Sequence, residues 1–111
     1  MELARRAVDA ASDKQAANIV LLDVRGLCGF ADYFVICAGE SQRQLRSIYD
    51  EIEKSLKNQS TLPSHHEGSS DSGWLLLDYG DVIVHVFGEQ ERAFYNLEGF
   101  WRHARTVLSI Q

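Results

Sequence analysis

The stretch Trp74–Phe87, WLLLDYGDVIVHVF, decides the fold. Two runs rich in apolar and β-branched residues flank Gly80-Asp81, so the segment reads as a β-hairpin with a tight turn. Gly80 at the first turn position supplies the positive φ that a type II′ turn needs. Asp78, Tyr79 and Asp81 gather around that turn, and Trp74 opens the first strand. An indole in that place either packs into a core or anchors another macromolecule, and the residues alone leave both readings open.

Upstream of the hairpin, Gly68–Gly73, GSSDSG, reads as a flexible polar loop, and Pro63 predicts a short extended piece before it. Further back, Leu45, Ile48, Tyr49, Ile52 and Leu56 form the stripe of an amphipathic helix. Ser41 with Gln44 is a capping-box pattern at the start of that helix, just after Gly39. The segment Tyr33–Ala38, YFVICA, is apolar on both faces, as a central strand is. Ahead of it, beyond a loop with Gly26 and Gly29, lies a second apolar run, Ile19–Val24. Leu3, Ala7, Val8 and Ala11 predict a first helix over residues 2–13, with an Ala-rich face suited to close packing on a sheet.

Downstream of the hairpin, Glu89 and Glu91 suit a helix N-terminus. Ala93, Phe94, Leu97, Phe100, Trp101 and Ala104 then recur at helical spacing, and Gly99 predicts a weakened or bent helix. The order is helix, two strands, helix, short extended piece, hairpin, helix. That order predicts a single α/β (α+β) domain over residues 1–111, with a mixed sheet flanked by helices.

An apolar share of 45% and a charged share of 24% are those of an ordinary globular chain. No apolar run reaches the roughly 20 residues of a membrane span, and the N-terminus lacks a secretion-signal profile. The expected location is the cytoplasm, with no membrane contact. A net charge of −5 argues against coating a phosphate backbone and fits a basic protein partner better. The densest run of cations, Arg43, Arg46, Lys54 and Lys57, is diluted by acids on the same helix. Little direct nucleic-acid contact is expected. Cys28 and Cys37 form no CxxC pair and read as small buried residues.

Catalytic readings find little support. His65, His66 and Glu67, with Asp71 or His85, suggest a metal site, but adjacent residues of an extended segment point to opposite faces. The best enzyme case is nucleotidyl transfer at Gly39-Glu40-Ser41, where a strand-to-helix junction offers backbone N–H groups to phosphate. Two-metal chemistry also needs clustered carboxylates, and Asp78 and Asp81 are too few. Ser41 as a cap and the aspartates as turn formers explain the same residues. No metal or cofactor is expected. A binding reading rests on Trp74, Tyr79, His85, Tyr95 and Trp101, because Trp and Tyr are enriched among interface hot spots. For Trp101, core packing is the leading reading.

Several segments together resemble the ribosomal silencing factor S, or Iojap, family. Asp13-Lys14-Gln15-Ala16 leads into IVLLDV, and FADYFVICAGESQRQ runs from Phe30 to Gln44. Pro63-x-His65-x-Glu67-Gly68, the hairpin itself, and ERAFYNLEGFW from Glu91 to Trp101 follow in the family's order. Gly99 and Phe100 replace a charged-then-apolar pair, and His66 replaces an apolar residue, so the last helix and the short strand depart from the pattern. The resemblance implies a nucleotidyltransferase-like fold without a catalytic site. It implies binding to the large ribosomal subunit through its fourteenth large-subunit protein, which hinders joining of the small subunit and lowers translation when nutrients are scarce. It also implies an interface made by Trp74, Leu77, Asp78, Tyr79 and His85, and a capacity to form a homodimer.

Overall fold

In the computed structural model, which describes all of residues 1–111, ten regular elements follow in order. They are α1 (Glu2–Asp13), β1 (Ala17–Asp23), β2 (Tyr33–Gly39), α2 (Gln42–Lys57) and β3 (His65–Ser69). Then come β4 (Trp74–Asp78), β5 (Val82–Gly88), α3 (Glu89–Tyr95), α4 (Leu97–Phe100) and β6 (Arg105–Ile110). The strands make one sheet in the order β3-β4-β5-β2-β1-β6. β2 and β5 run parallel, and every other neighbouring pair is antiparallel. The fold is the mixed-sheet α/β domain that the sequence predicts.

β2 is apolar at every position because it is covered on both faces, and all seven of its residues are buried. One face of the sheet, carrying Leu21, Val35, Cys37, Leu75, Leu77 and Val84, receives α1 and α2. The α2 stripe of Leu45, Ile48, Tyr49, Ile52 and Leu56 is buried there throughout. Each of those aliphatic side chains contributes about 1.5–3 kcal/mol by leaving water. Ala4, Ala7 and Ala11 let α1 sit close beside α2. The opposite face carries Leu22, Phe34, Ile36, Ile83 and Phe87, and is covered by the short helices α3 and α4 together with connecting residues such as Ala31, Trp101 and Ala104. Neither of those two helices has a buried residue.

Local chemistry sets the ends of the elements. Ser41 Oγ accepts the Gln44 N–H at 3.1 Å, as the cap pattern predicts. The Gln44 side chain, however, accepts from the Glu40 N–H at 2.7 Å and donates to the Lys14 and Gln15 carbonyls. It therefore ties the start of α2 to the end of α1. At the hairpin tip Gly80 has φ +88°, the Tyr79 N–H donates to the Val82 carbonyl at 2.8 Å, and Asp78 Oδ1 accepts the Gly80 N–H at 2.8 Å.

Three expectations are corrected. GSSDSG is not a loose loop: Gly68 and Ser69 end β3, and Ser70–Ser72 form a 3-10 turn that Ser69 and Ser72 cap reciprocally. Ser69 and Ser72 bond to one another, so polarity here signals local capping. The last helix is two short ones, broken at Asn96 rather than at Gly99. Asn96 adopts φ +47° and its Oδ1 accepts the Gly99 N–H at 3.2 Å. A Cβ on Gly99 would lie 2.3 Å from Asn96 Nδ2, so the glycine makes room for that cap. Finally, Arg105–Ile110 forms a sixth strand against β1, where the sequence shows no clean alternation. It is an edge strand and Val107, Leu108 and Ile110 are only partly buried.

The cap predicts a thermodynamic cycle. Gly99→Ala should cost about 1 kcal/mol in the native chain, the size of a lost side-chain cap. In an Asn96→Gly background the same change should cost nothing, as read by urea unfolding. Equal costs in both backgrounds would show that Asn96 is not what Gly99 accommodates.

Candidate functional site

Alternation along β4 separates the residues singled out from the sequence. Trp74, Leu76 and Asp78 face one side, and Leu75 and Leu77 face the other. Leu77 is fully buried against the helical layer with 0% exposure, so it cannot meet a partner, and its expected interface role is corrected to core. Tyr79 is half-buried and packs on the same helical side. Its hydroxyl has no partner in the protein, and burial first, then Glu53 and Tyr49, push its phenol pKa upward. Asp78 spends an oxygen on the turn.

His85 is 5% exposed and also unable to touch a partner; it supports Trp74 instead. The indole N–H of Trp74 donates to His85 Nδ1 at 3.2 Å, across the diagonal of the β4–β5 pair. That bond fixes Nδ1 as the acceptor. His85 Nε2 has no partner in the protein, and burial pushes the ring's pKa from its ordinary 6.5 down to about 4. Trp74 itself is half-buried, with its ring centroid 4.9 Å from Phe87 and 4.6 Å from Tyr95. It is therefore both core support and surface.

The open face carries a run of rings. Phe34 meets His85 at 5.1 Å and Trp101 at 5.5 Å, both edge-on, so Trp101 packs partly into this second core. At the β4 end, Tyr95 and Phe94 continue the run outward, 46% and 80% exposed. A hollow of about 260 Å³ lies beside them, lined by Trp74, Leu76 and Tyr95 with Glu67, Gly68 and Ser72. Leu76 and the outward-facing Phe94 are the residues the sequence reading did not assign to a surface. Alternation from Trp74 would have placed Leu76, whereas Phe94 was hidden by the expectation of one long buried helix.

The strand–helix junction lacks the means for phosphate chemistry. The Glu40 and Gln44 N–H groups are already bonded to Gln44 Oε1 and Ser41 Oγ. The hollow beside them, about 290 Å³, is rimmed by Glu40, Asp71, Glu89 and Glu91, which repel a polyphosphate. His65 pairs with Glu67 at 3.2 Å on the exposed β3, and His85 lies buried on β5, so these residues do not converge on an ion. Cys37 is buried, and desolvation pushes its thiol up to about 12.

The site is thus a half-open aromatic face on a compact mixed sheet, beside a strand–helix junction that caps itself. A family model described as "Ribosomal silencing factor during starvation" matches residues 1–111. The chain is 43% identical to a ribosomal silencing factor RsfS of Halalkalibacterium halodurans, over 96% of this chain and 91% of that one. It is 37% identical to a chloroplastic Iojap protein of Zea mays, over 88% of this chain and 42% of that one. The crystal structure of a Chromobacterium violaceum protein superposes with a TM-score of 0.87 at 29% identity, covering 90% of this chain and 83% of that one. The chain belongs to the ribosomal silencing factor family, whose members silence ribosomes and are not enzymes.

The buried imidazole predicts a pH dependence. With its folded pKa near 4 and its unfolded value near 6.5, His85 binds more protons unfolded, so stability is complete above about pH 6.5 and lost toward pH 4. Between pH 7 and 5 the loss should be about 2 kcal/mol by linkage, and His85→Phe should remove that share of the slope in urea titrations. An unchanged slope in the variant would contradict a neutral buried His85.

Proposed function

We propose that the protein binds the large ribosomal subunit through that subunit's fourteenth protein and blocks docking of the small subunit by its bulk. The family match over residues 1–111 carries the ribosomal part of this reading. The open aromatic face supports the contact: Trp74, Leu76, Phe94 and Tyr95 offer rigid apolar area beside a hollow rimmed by Glu67. Rings of this kind lose little conformational freedom on binding and are common hot spots. The acidic balance of −5 complements a basic ribosomal protein. A body of 35 × 34 × 24 Å, seated where two subunits meet, is thick enough to hold them apart.

The site of action is the cytoplasm, where bacterial relatives meet their ribosomes; the maize relative carries a chloroplastic name. A homodimer that buried the same aromatic face would compete with the subunit for it.

Trp74→Ala is a poor probe, because it removes contacts with Phe87, Tyr95 and His85 and so lowers stability as well. The cleaner variant pairs Phe94→Ala with Tyr95→Ala. It should weaken binding to the isolated fourteenth protein more than tenfold, about 1.4 kcal/mol, with a smaller fall in thermal midpoint than Trp74→Ala, since Phe94 is 80% exposed and Tyr95 gives up only its contacts with Trp74 and Phe87. Affinity unchanged by the pair would remove the aromatic face from the interface. A light-scattering assay in which subunits join equally well with and without the protein would remove the steric mechanism.

A further inference from the structure

We infer that the hollow beside Trp74 receives one arginine side chain of a basic partner protein. The identity of that partner rests on the function proposed above; the chemistry of the hollow does not. Three elements build it. In the β3–β4 pair Glu67 stands opposite Leu76, so both side chains share the face that carries Trp74. Tyr95, the last residue of α3, leans on the indole with ring centroids 4.6 Å apart and planes at 46°. A Cβ on Gly68 would collide with the Trp74 carbonyl oxygen, so no side chain fills this corner.

The space is about 260 Å³, below the roughly 300–1,000 Å³ of small-molecule sites, and so suits a single side chain. Trp74, Leu76 and Tyr95 line it with Glu67, Gly68 and Ser72, and no lysine or arginine is among them. The indole N–H is spent on His85, so Trp74 brings the hollow its ring carbons and no free donor. Ser72 Oγ is committed too, accepting the Ser69 and Trp74 N–H groups and donating to the Ser69 carbonyl. Glu67 is the one charged side chain of the lining. It is 63% exposed, and its partner is His65 Nε2 at 3.2 Å, on a ring 59% exposed. A pair standing so far into water is exchanged at little cost.

Two aromatic rings and a carboxylate around one small space select a cation, because ring faces carry negative charge density and Trp is the strongest of them. Arginine fits better than lysine. Its planar guanidinium stacks on a ring while its paired N–H donors meet a carboxylate, and it leaves water more readily than an ammonium. An apolar side chain would gain the rings but give Glu67 nothing. A larger hollow, about 620 Å³, has the opposite character: Arg25 and Arg105, both bonded to Asp23, line it with His103 and repel a cation. The net charge of −5 draws a basic partner from a distance. The hollow fixes where one of that partner's charges comes to rest.

Nuclear magnetic resonance of the isotope-labelled full chain, titrated with N-acetyl-arginine amide, tests this. The two indole N–H signals separate the hollow from the rest of the face, since Trp101 packs on Phe34 and does not line it. The Trp74 signal should shift saturably in the millimolar range while that of Trp101 stays in place. N-acetyl-citrulline amide, the same shape without the charge, should bind about fivefold more weakly, and Glu67→Gln should cost the arginine derivative about as much. Equal binding of the citrulline derivative, an unchanged affinity in Glu67→Gln, a larger shift at Trp101, or no saturable shift would each overturn the inference. Against the isolated fourteenth protein, Glu67→Gln should weaken binding about fivefold, and Asp71→Asn, on the neighbouring turn outside the hollow, should do less. Full-strength binding of the fourteenth protein by Glu67→Gln would overturn the arginine contact and leave the proposed function standing. A native chain that takes the arginine derivative but not the fourteenth protein would do the reverse.

Discussion

The packing of α1 and α2 onto one face of the sheet, through Leu45, Ile48, Ile52 and Leu56, is the interaction on which the rest depends. It buries one side of β1, β2, β4 and β5 so thoroughly that the domain does not need its second face to be equally covered. Gln44 locks the two helices at their junction by bonding the Lys14 and Gln15 carbonyls. The second face is left with two short helices and a set of aromatic rings. A stable scaffold with one lightly covered face can present apolar side chains to a partner without unfolding to do so.

On that face, burial and exposure are graded rather than separate. His85 lies beneath, Trp74 bonds to it and is half-covered, and Tyr95 and Phe94 reach into solvent. The buried members hold the outer rings in place, so little freedom remains to be lost on binding. The same support serves the other end, where Phe34 and Trp101 carry the exposed rings of Phe30 and Phe100. A repressor built this way needs no chemistry. It needs affinity, orientation and volume.

The α2 stripe and the hairpin were legible because each carries its own period: Leu45 to Leu56 at helical spacing, and Trp74 to Phe87 on either side of a glycine turn. β6 was not legible, since an edge strand that half-buries Val107, Leu108 and Ile110 imposes no strict pattern. The break at Asn96 was hidden because its left-handed backbone ends α3 while its side chain caps the start of α4, and Gly99 is the residue that draws the eye. For the site, Trp74 and the aromatic character of the region could be read directly. Leu77 could have been excluded by counting: it lies three residues from Trp74 on a strand, and so on the opposite face. The pairing of Arg25 with Arg105 through Asp23 spans most of the chain, and no local spacing encodes it.

Hydroxyl-radical footprinting of the protein on purified large subunits separates a contact made by the lightly covered face from one made through the helical layer. Protection should fall on Trp74, Leu76, Phe94 and Tyr95, while the outward residues of α2, such as Arg43 and Lys54, react as in the free protein. Protection of α2 with the aromatic face still reactive would contradict the account.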